Sequence, residues 1–272
     1  MLNICLSTLI KDENRYLEEW IKYYSNYNIS KFILFEDKNS KSHQDICNKF
    51  GDKVILHQLW DYVTNDDLNN NENGILSIFW KIFYRLYKDS YDAVLIVDPD
   101  EFLNCSPEEF IDEANYFKDY EYAVSIKYIW LTKTASGIIR DPYPGQSYSL
   151  FDTYKKTLNG YNMPEKLTLD YELRDYNLQG KHLIYLPKIK SIDYFSCPHG
   201  SICYVISNFR LNHYLTKSWD EYKFRLFDRG EPIKEYGRKI QDFFVINPDL
   251  IPYRDDLIKE CESLTYKYNE IE

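Results

Sequence analysis

Within its first hundred residues the chain alternates four short apolar runs with segments whose apolar residues recur at helical spacing, which restricts its fold more than any other feature. The run NICLST precedes KDENRYLEEWIKYYSNY, where Tyr16, Leu17, Trp20, Ile21 and Tyr24 fall on one helical face. KFILFED leads into a helical SHQDICNKF, and KVILHQL into the Asn/Asp-rich YVTNDDLNNNENG, which reads as a loop. The amphipathic ILSIFWKIFYRLYKDS and the strand AVLIVD complete the series. Strands that each hand over to a helix align in parallel, with the helices covering the sheet.

The fourth strand ends in the stretch AVLIVDPDEFL, running straight into Asp98, Asp100 and Glu101. In an extended chain residues 98 and 100 project to one side and Glu101 to the other, while Pro99 removes a backbone donor and stiffens the exit. Open α/β sheets bind ligands in the crevice beyond the carboxyl ends of their strands. Clustered carboxylates there raise one another's pKa unless positive charge is at hand. A divalent cation supplies it, since Mg²⁺ or Mn²⁺ is commonly held by one or two carboxylates together with substrate phosphates. A DxD triplet alone is equally a surface turn with an acidic helix cap. Its place after a buried strand and three βα units favours a site for a metal and a nucleotide.

Composition narrows the partners. At 272 residues and 44% apolar content the chain can bury one large core. A net charge of −10 argues against a broad electrostatic grip on nucleic acid. Lys217, Lys223, Arg225 and Arg229 form a local basic patch, which reads either as a phosphate-facing surface or as a solvated helix face. The 27 tyrosines, in a chain also rich in Asn, Lys and Ile, read as compositional drift and by themselves support no sugar stacking. Six cysteines scattered without a CxxC pair read as reduced thiols. The opening MLNICLSTLI lacks the basic start of a signal peptide, and no apolar run approaches the roughly 20 residues of a membrane span. The expectation is a cytoplasmic protein, with peripheral association at a membrane surface left open.

Two other strand-end chemistries fail on their motifs. A phosphatase with a nucleophilic Asp expects DxDGT and a downstream GDxxxD, and a nucleotidyltransferase expects a glycine-rich opening where this chain has STLIKDEN. A non-catalytic carbohydrate- or nucleotide-binding module is the alternative from another class. Metal-dependent nucleotide binding separates it from an enzyme.

Five blocks in order resemble glycosyltransferases of the GT-A fold, in the branch of family 92 and the bacterial family-2-like proteins. They are KDENRYLEEWIKYYSNYNISKFILFEDKNS, DPDEF, YIWLTKTASG, GKHLIYLPKIKSIDYFSCPHG and LNHYLTKSWDEYKFRLFDRG. KDEN stands where Lys-Asn-Glu is commoner, with Lys11 and Glu13 keeping their spacing, and TKTA replaces the usual aromatic-Gly. The resemblance implies a Rossmann-like, mostly parallel α/β sheet over residues 1–230, with a nucleotide-sugar half at 1–130 and an acceptor half at 131–230. Residues 231–272 are expected as a helical extension packed on the outside.

The resemblance further implies transfer of a sugar from a nucleotide-sugar donor, a UDP-sugar, to a glycan or lipid-linked glycan acceptor; inversion is the expectation, with retention left open. Asp98, Asp100 and His213 would hold Mn²⁺ or Mg²⁺, imidazole tilting the choice to Mn²⁺. Thr8, Lys11, Glu13, Asp37 and Asp98 would meet the nucleoside end of the donor, and Lys181, Lys217 and Arg229 its diphosphate. Glu101, Asp170, Glu172 and Asp193 compete for the general base, and His199 would line the acceptor site.

Overall fold

The computed structural model describes residues 2–38, 40–69, 75–121, 123–158, 180–189, 204–228 and 240–269. They divide into two compact units, Met1–Trp130 with Asp175–Asn212, and Leu131–Arg174 with His213–Glu272.

The first unit is a mixed α/β layer built on β1 (Ile4–Ile10), β2 (Ile29–Glu36), β3 (Val54–Gln58), β4 (Ala93–Ile96), β5 (Glu101–Leu103), β6 (Ser125–Thr132), β7 (Gly180–Tyr185) and β8 (Tyr204–His213). Their order across the sheet is β3-β2-β1-β4-β7-β6-β8-β5. Strands β3, β2, β1 and β4 form the parallel block that the alternation of runs predicts, and β7 adds antiparallel to β4 and to β6. In β1 all but Leu9 are buried, as expected of a strand with helices on both faces. Burial of each such Leu, Ile or Phe is worth about 1.5–3 kcal/mol.

Helix α1 (Leu17–Tyr24) buries Leu17, Trp20, Ile21 and Tyr24, with Trp20 edge-on to Phe32 of β2. After α2 (Gln44–Asn48) comes a short helix that the sequence reading missed, α3 (Asn65–Asn69), inside the stretch read as a loop. Thr64 and Asp67 nucleate it by reciprocal bonds, Thr64 N–H to Asp67 Oδ2 at 2.9 Å and Asp67 N–H to Thr64 Oγ1 at 3.3 Å. Local capping outweighed the poor helix propensity of Asn and Asp. Helix α4 (Ile75–Tyr87) covers the sheet with Ile78, Phe79, Ile82 and Phe83, against Cys5, Ile33, Phe35 and Val94. Helix α5 (Pro107–Lys118) starts with a capping box between Ser106 and Glu109.

Tyrosine hydroxyls of α1 and the turn after it grip the strand beyond the acids. Tyr24 accepts from Leu103 N–H and donates to Glu101 O, both at 3.1 Å. Tyr23 donates to Leu103 O, and Tyr27 to Cys105 O at 2.6 Å. These three rings therefore serve the backbone of β5.

In the second unit Ala135, Trp219, Tyr222, Leu226 and Phe227 pack with Phe243, Phe244, Leu250, Leu257 and Cys261. The C-terminal segments thus supply half of a core, because the helices Ile240–Ile246 and Arg254–Asn269 each turn apolar side chains inward. Among the described residues no helix is long and apolar enough to cross a membrane.

Candidate functional site

Strand order reverses between β1 and β4, whose neighbours run on in opposite directions across the sheet. That is the switch point where a doubly wound sheet opens a crevice at its carboxyl edge. The register Ser7↔Ile96 puts Thr8 and Asp98 side by side just past the ladder, with Thr8 Oγ1 3.4 Å from Asp98 Oδ1. On the other flank the pairing Leu95↔Leu183 brings Lys181 past the end of β4. Its ammonium lies 2.8 Å from Asp98 Oδ2 and 5.9 Å from the centroid of the Trp130 ring.

The acids do not continue the strand, as the extended geometry had them. Strand β4 stops at Ile96, and Asp98 O accepts from Glu101 N–H at 2.9 Å, closing a turn with Pro99 at its second position. Proline's fixed φ and missing donor favour that turn over two more strand residues. Glu101 folds back so that its Oε2 accepts Asp98 N–H at 2.8 Å, and it is fully buried. Asp100 is buried as well, whereas the Asp98 side chain keeps 42% of its surface.

The electrostatics follow from this packing. Burial drives the Glu101 carboxyl well above the usual range; Lys181 opposes the shift, and Asp98 and Asp100 add to it. Burial also disfavours the Lys181 ammonium, but Asp98, Glu101 and Asp100 together outweigh it and hold the pKa above its ordinary value. The Lys181 ammonium therefore interacts with all three carboxyls.

Among the described residues no three His, Cys, Asp or Glu side chains converge as a ready-made metal site. The donor set nevertheless fits Mn²⁺ or Mg²⁺ in the form that phosphate ligands complete. Asp98 and Asp100 are hard oxygen donors two residues apart on one turn.

At the ends of β1 and β2 the remaining nucleoside-end candidates form a braced rim. Asp12 adopts φ +54°, its Oδ1 accepting Lys41 N–H at 2.8 Å while its own N–H reaches Ser40 Oγ at 3.0 Å. Glu13 is buried, and its N–H donates to His43 Nε2 at 2.9 Å. Since Nε2 accepts, the His43 proton is on Nδ1, 2.6 Å from Glu36 Oε1. Lys11 stands 3.6 Å from Asp37 Oδ2. Asp37 Oδ1 accepts from Lys38 N–H at 2.7 Å and from the Trp60 indole at 3.0 Å. Trp60 and His43 escaped the sequence reading, since neither sits in a motif; only Trp60's place just after the third strand could have signalled it.

His213 and Lys217 belong to the second unit, and both are buried. His213 O accepts Lys133 N–H at 2.8 Å. Lys217 has φ +54°, a conformation that costs a non-glycine residue free energy, and such strain clusters at functional positions. Next to it Ser218 N–H donates to Tyr154 Oη at 3.1 Å, and Tyr154 donates to Glu221 Oε2 at 3.0 Å. The rest of the basic patch is engaged in structure: Lys223 bridges Asp220 and Glu260 at 3.1 and 3.0 Å, and Arg225 donates to Leu215 O at 3.1 Å. His199, Arg229, Asp170, Glu172 and Asp193 lie outside the described residues.

No family model matches this chain, and no curated protein does. Solved structures overlap it in part. Glucosyl-3-phosphoglycerate synthase from Mycobacterium tuberculosis, in complex with Mn²⁺, UDP and glucosyl-3-phosphoglycerate, is 16% identical over 47% of this chain and 44% of its own, with a TM-score of 0.35. A mycobacterial protein is 12% identical over 79% of this chain and 65% of its own, with a TM-score of 0.43. TarS from S. aureus is 15% identical over 49% and 22%, with a TM-score of 0.32. The chain spans less than two thirds of the length of each of these structures.

Proposed function

We propose that the chain is a hexosyltransferase of the GT-A kind, moving a sugar with inversion from a UDP-sugar to a glycan or lipid-linked glycan acceptor. The observation that carries this reading is the acid turn at the β1/β4 switch point, with Lys181 against Asp98 and Thr8 reaching in from β1. A nucleoside diphosphate matches that edge. Its phosphates suit Lys181 and the turn, and its nucleoside suits the polar rim formed by Thr8, Lys11, Glu13 and Asp37.

In this reading the first unit takes the donor and the second unit the acceptor, with the helices of residues 231–272 built into the core of the second unit and not packed on the outside as an extension. Asp98 and Asp100 would hold Mn²⁺ or Mg²⁺ together with the donor's phosphates, and His213 is offered as a further ligand by the sequence resemblance alone. When bound, that cation stabilises the negative charge that develops on the departing diphosphate. Lys181 would neutralise the same phosphates from the protein side, and the sequence resemblance alone adds Lys217 and Arg229. Glu101 is buried with its carboxylate on Asp98 N–H, so we assign it to holding the turn in shape. On the sequence resemblance alone, His199 would serve the acceptor. A lipid-linked acceptor would be met at the cytoplasmic face of a membrane.

Calorimetric titration of UDP in Mn²⁺ and in chelator, repeated on Asp100→Ala, tests the reading. The expected result is binding that requires the metal and vanishes in the variant. Absence of UDP binding under both conditions overturns it and leaves the non-catalytic module.

A further inference from the structure

Trp60 follows β3 on a single 3₁₀ turn, Leu59–Asp61, and keeps 39% of its surface in solvent. A lone exposed aromatic is ordinary on a protein surface. What sets this one apart is that it is held. Its indole N–H donates to Asp37 Oδ1 at 3.0 Å, and the Lys38 ammonium stands over the ring, 5.9 Å from the centroid. Asp37 is in turn fixed by Lys38 N–H at 2.7 Å and by Lys11 at 3.6 Å. Ordering a large side chain costs rotamer entropy, which burial normally offsets. Here part of that offset comes from the bond to Asp37, and about two fifths of the residue still faces solvent.

Its position on the sheet gives the ring a use. Lys11, Asp37 and Trp60 follow the carboxyl ends of β1, β2 and β3, and the acid turn follows β4. Three strand spacings separate β3 from β4, roughly 14 Å at about 4.8 Å each. An extended nucleoside diphosphate with its phosphates at Lys181 and the acid turn would carry its base to this rim. A flat, immobile indole suits a heterocycle there, because every base presents a π face for stacking.

Resting on the donor reading above, we infer that Trp60 is the stacking platform for the donor's nucleobase, and that Asp37 and Lys38 orient it. Asp37 then acts mainly through Trp60 and Lys11, since both of its carboxylate oxygens are already engaged.

The test compares UDP with inorganic pyrophosphate, both titrated with Mn²⁺ into the wild type, Trp60→Leu and Trp60→Phe. The leucine variant should bind UDP roughly tenfold more weakly and pyrophosphate unchanged. The phenylalanine variant, which keeps a π face and loses the N–H, should stay within about threefold of wild type. Unchanged UDP affinity in Trp60→Leu overturns the inference while leaving the donor reading intact. An equal loss for UDP and pyrophosphate also overturns it, by showing damage to the whole edge. A phenylalanine variant as weak as the leucine one transfers the effect to the bond with Asp37. A wild type that does not bind UDP removes the donor reading, and this inference with it.

Discussion

The molecule holds two acid–base clusters of nearly the same composition that do opposite things to their carboxyls. In the second unit Arg140 and Lys223 meet Asp220 and Glu260, two cations against two anions, all partly exposed. Hydrogen bonds from Arg140 and Lys223 overcome what burial there is and lower Glu260 to about 2, and Asp220 is lowered too. In the first unit one ammonium faces three carboxyls, Glu101 is buried, and its pKa rises. Balanced charge at the surface ties the helix Arg254–Asn269 to its unit. Burial of a carboxyl at a strand end moves its pKa the opposite way.

The hardest way to break the contrast is to remove the ammonium that stands against Asp98. Lys181→Met should cost roughly 2–3 kcal/mol in urea unfolding, below the range for fully buried pairs because Asp98 is 42% exposed. If the loss comes from uncompensated charge, adding Asp98→Asn should recover part of it. Tyr24→Phe comes next. It leaves Leu103 N–H and Glu101 O without their shared partner, and about 1–2 kcal/mol should be lost. UDP binding should weaken with it, since β5 anchors the end of the turn.

A pH series sharpens the comparison through opposite signs. Glu101 is raised in the folded protein, so its contribution is fully present below the unfolded carboxyl pKa and is lost as pH rises through its folded value. Glu101→Gln should therefore raise the urea midpoint at neutral pH. Glu260 is depressed, so its contribution is present above the unfolded value and disappears as pH falls towards about 2. Glu260→Gln should flatten the acid limb of the stability curve by lowering stability at neutral pH and leaving it nearly unchanged near pH 2. The smallest effect belongs to Arg140→Ala, at most about 1 kcal/mol, because its side chain is 60% exposed. A larger loss would show that the two clusters differ less than their exposure implies.

Much of the first unit was legible because its signals are local. The periodicity that put Leu17, Trp20, Ile21 and Tyr24 on one face is the face that α1 buries. Strands β1 to β4 fall within a few residues of the apolar runs that announced them. The acid cluster was legible in place and not in shape, since neither the turn that Pro99 favours nor Glu101's return to Asp98 N–H leaves a mark in strand periodicity. Helix α3 was hidden by its own Asn and Asp residues. The tyrosines gave a count with no meaning until Tyr23, Tyr24 and Tyr27 were seen to grip residues 101–105, nearly 80 positions away.

The order of residues by itself set the alternation of strand and helix and the position of three acids after a buried strand. Both depend on spacing along the chain, and spacing is what a sequence states directly. Tertiary structure alone decided that Lys181 stands at Asp98, that Asp37 holds Trp60, and that Phe243, Leu257 and Cys261 line a core. Those pairings depend on which strands lie side by side and how far each side chain reaches. Many partners of equal chemistry were available to each group along the chain, and packing selected one.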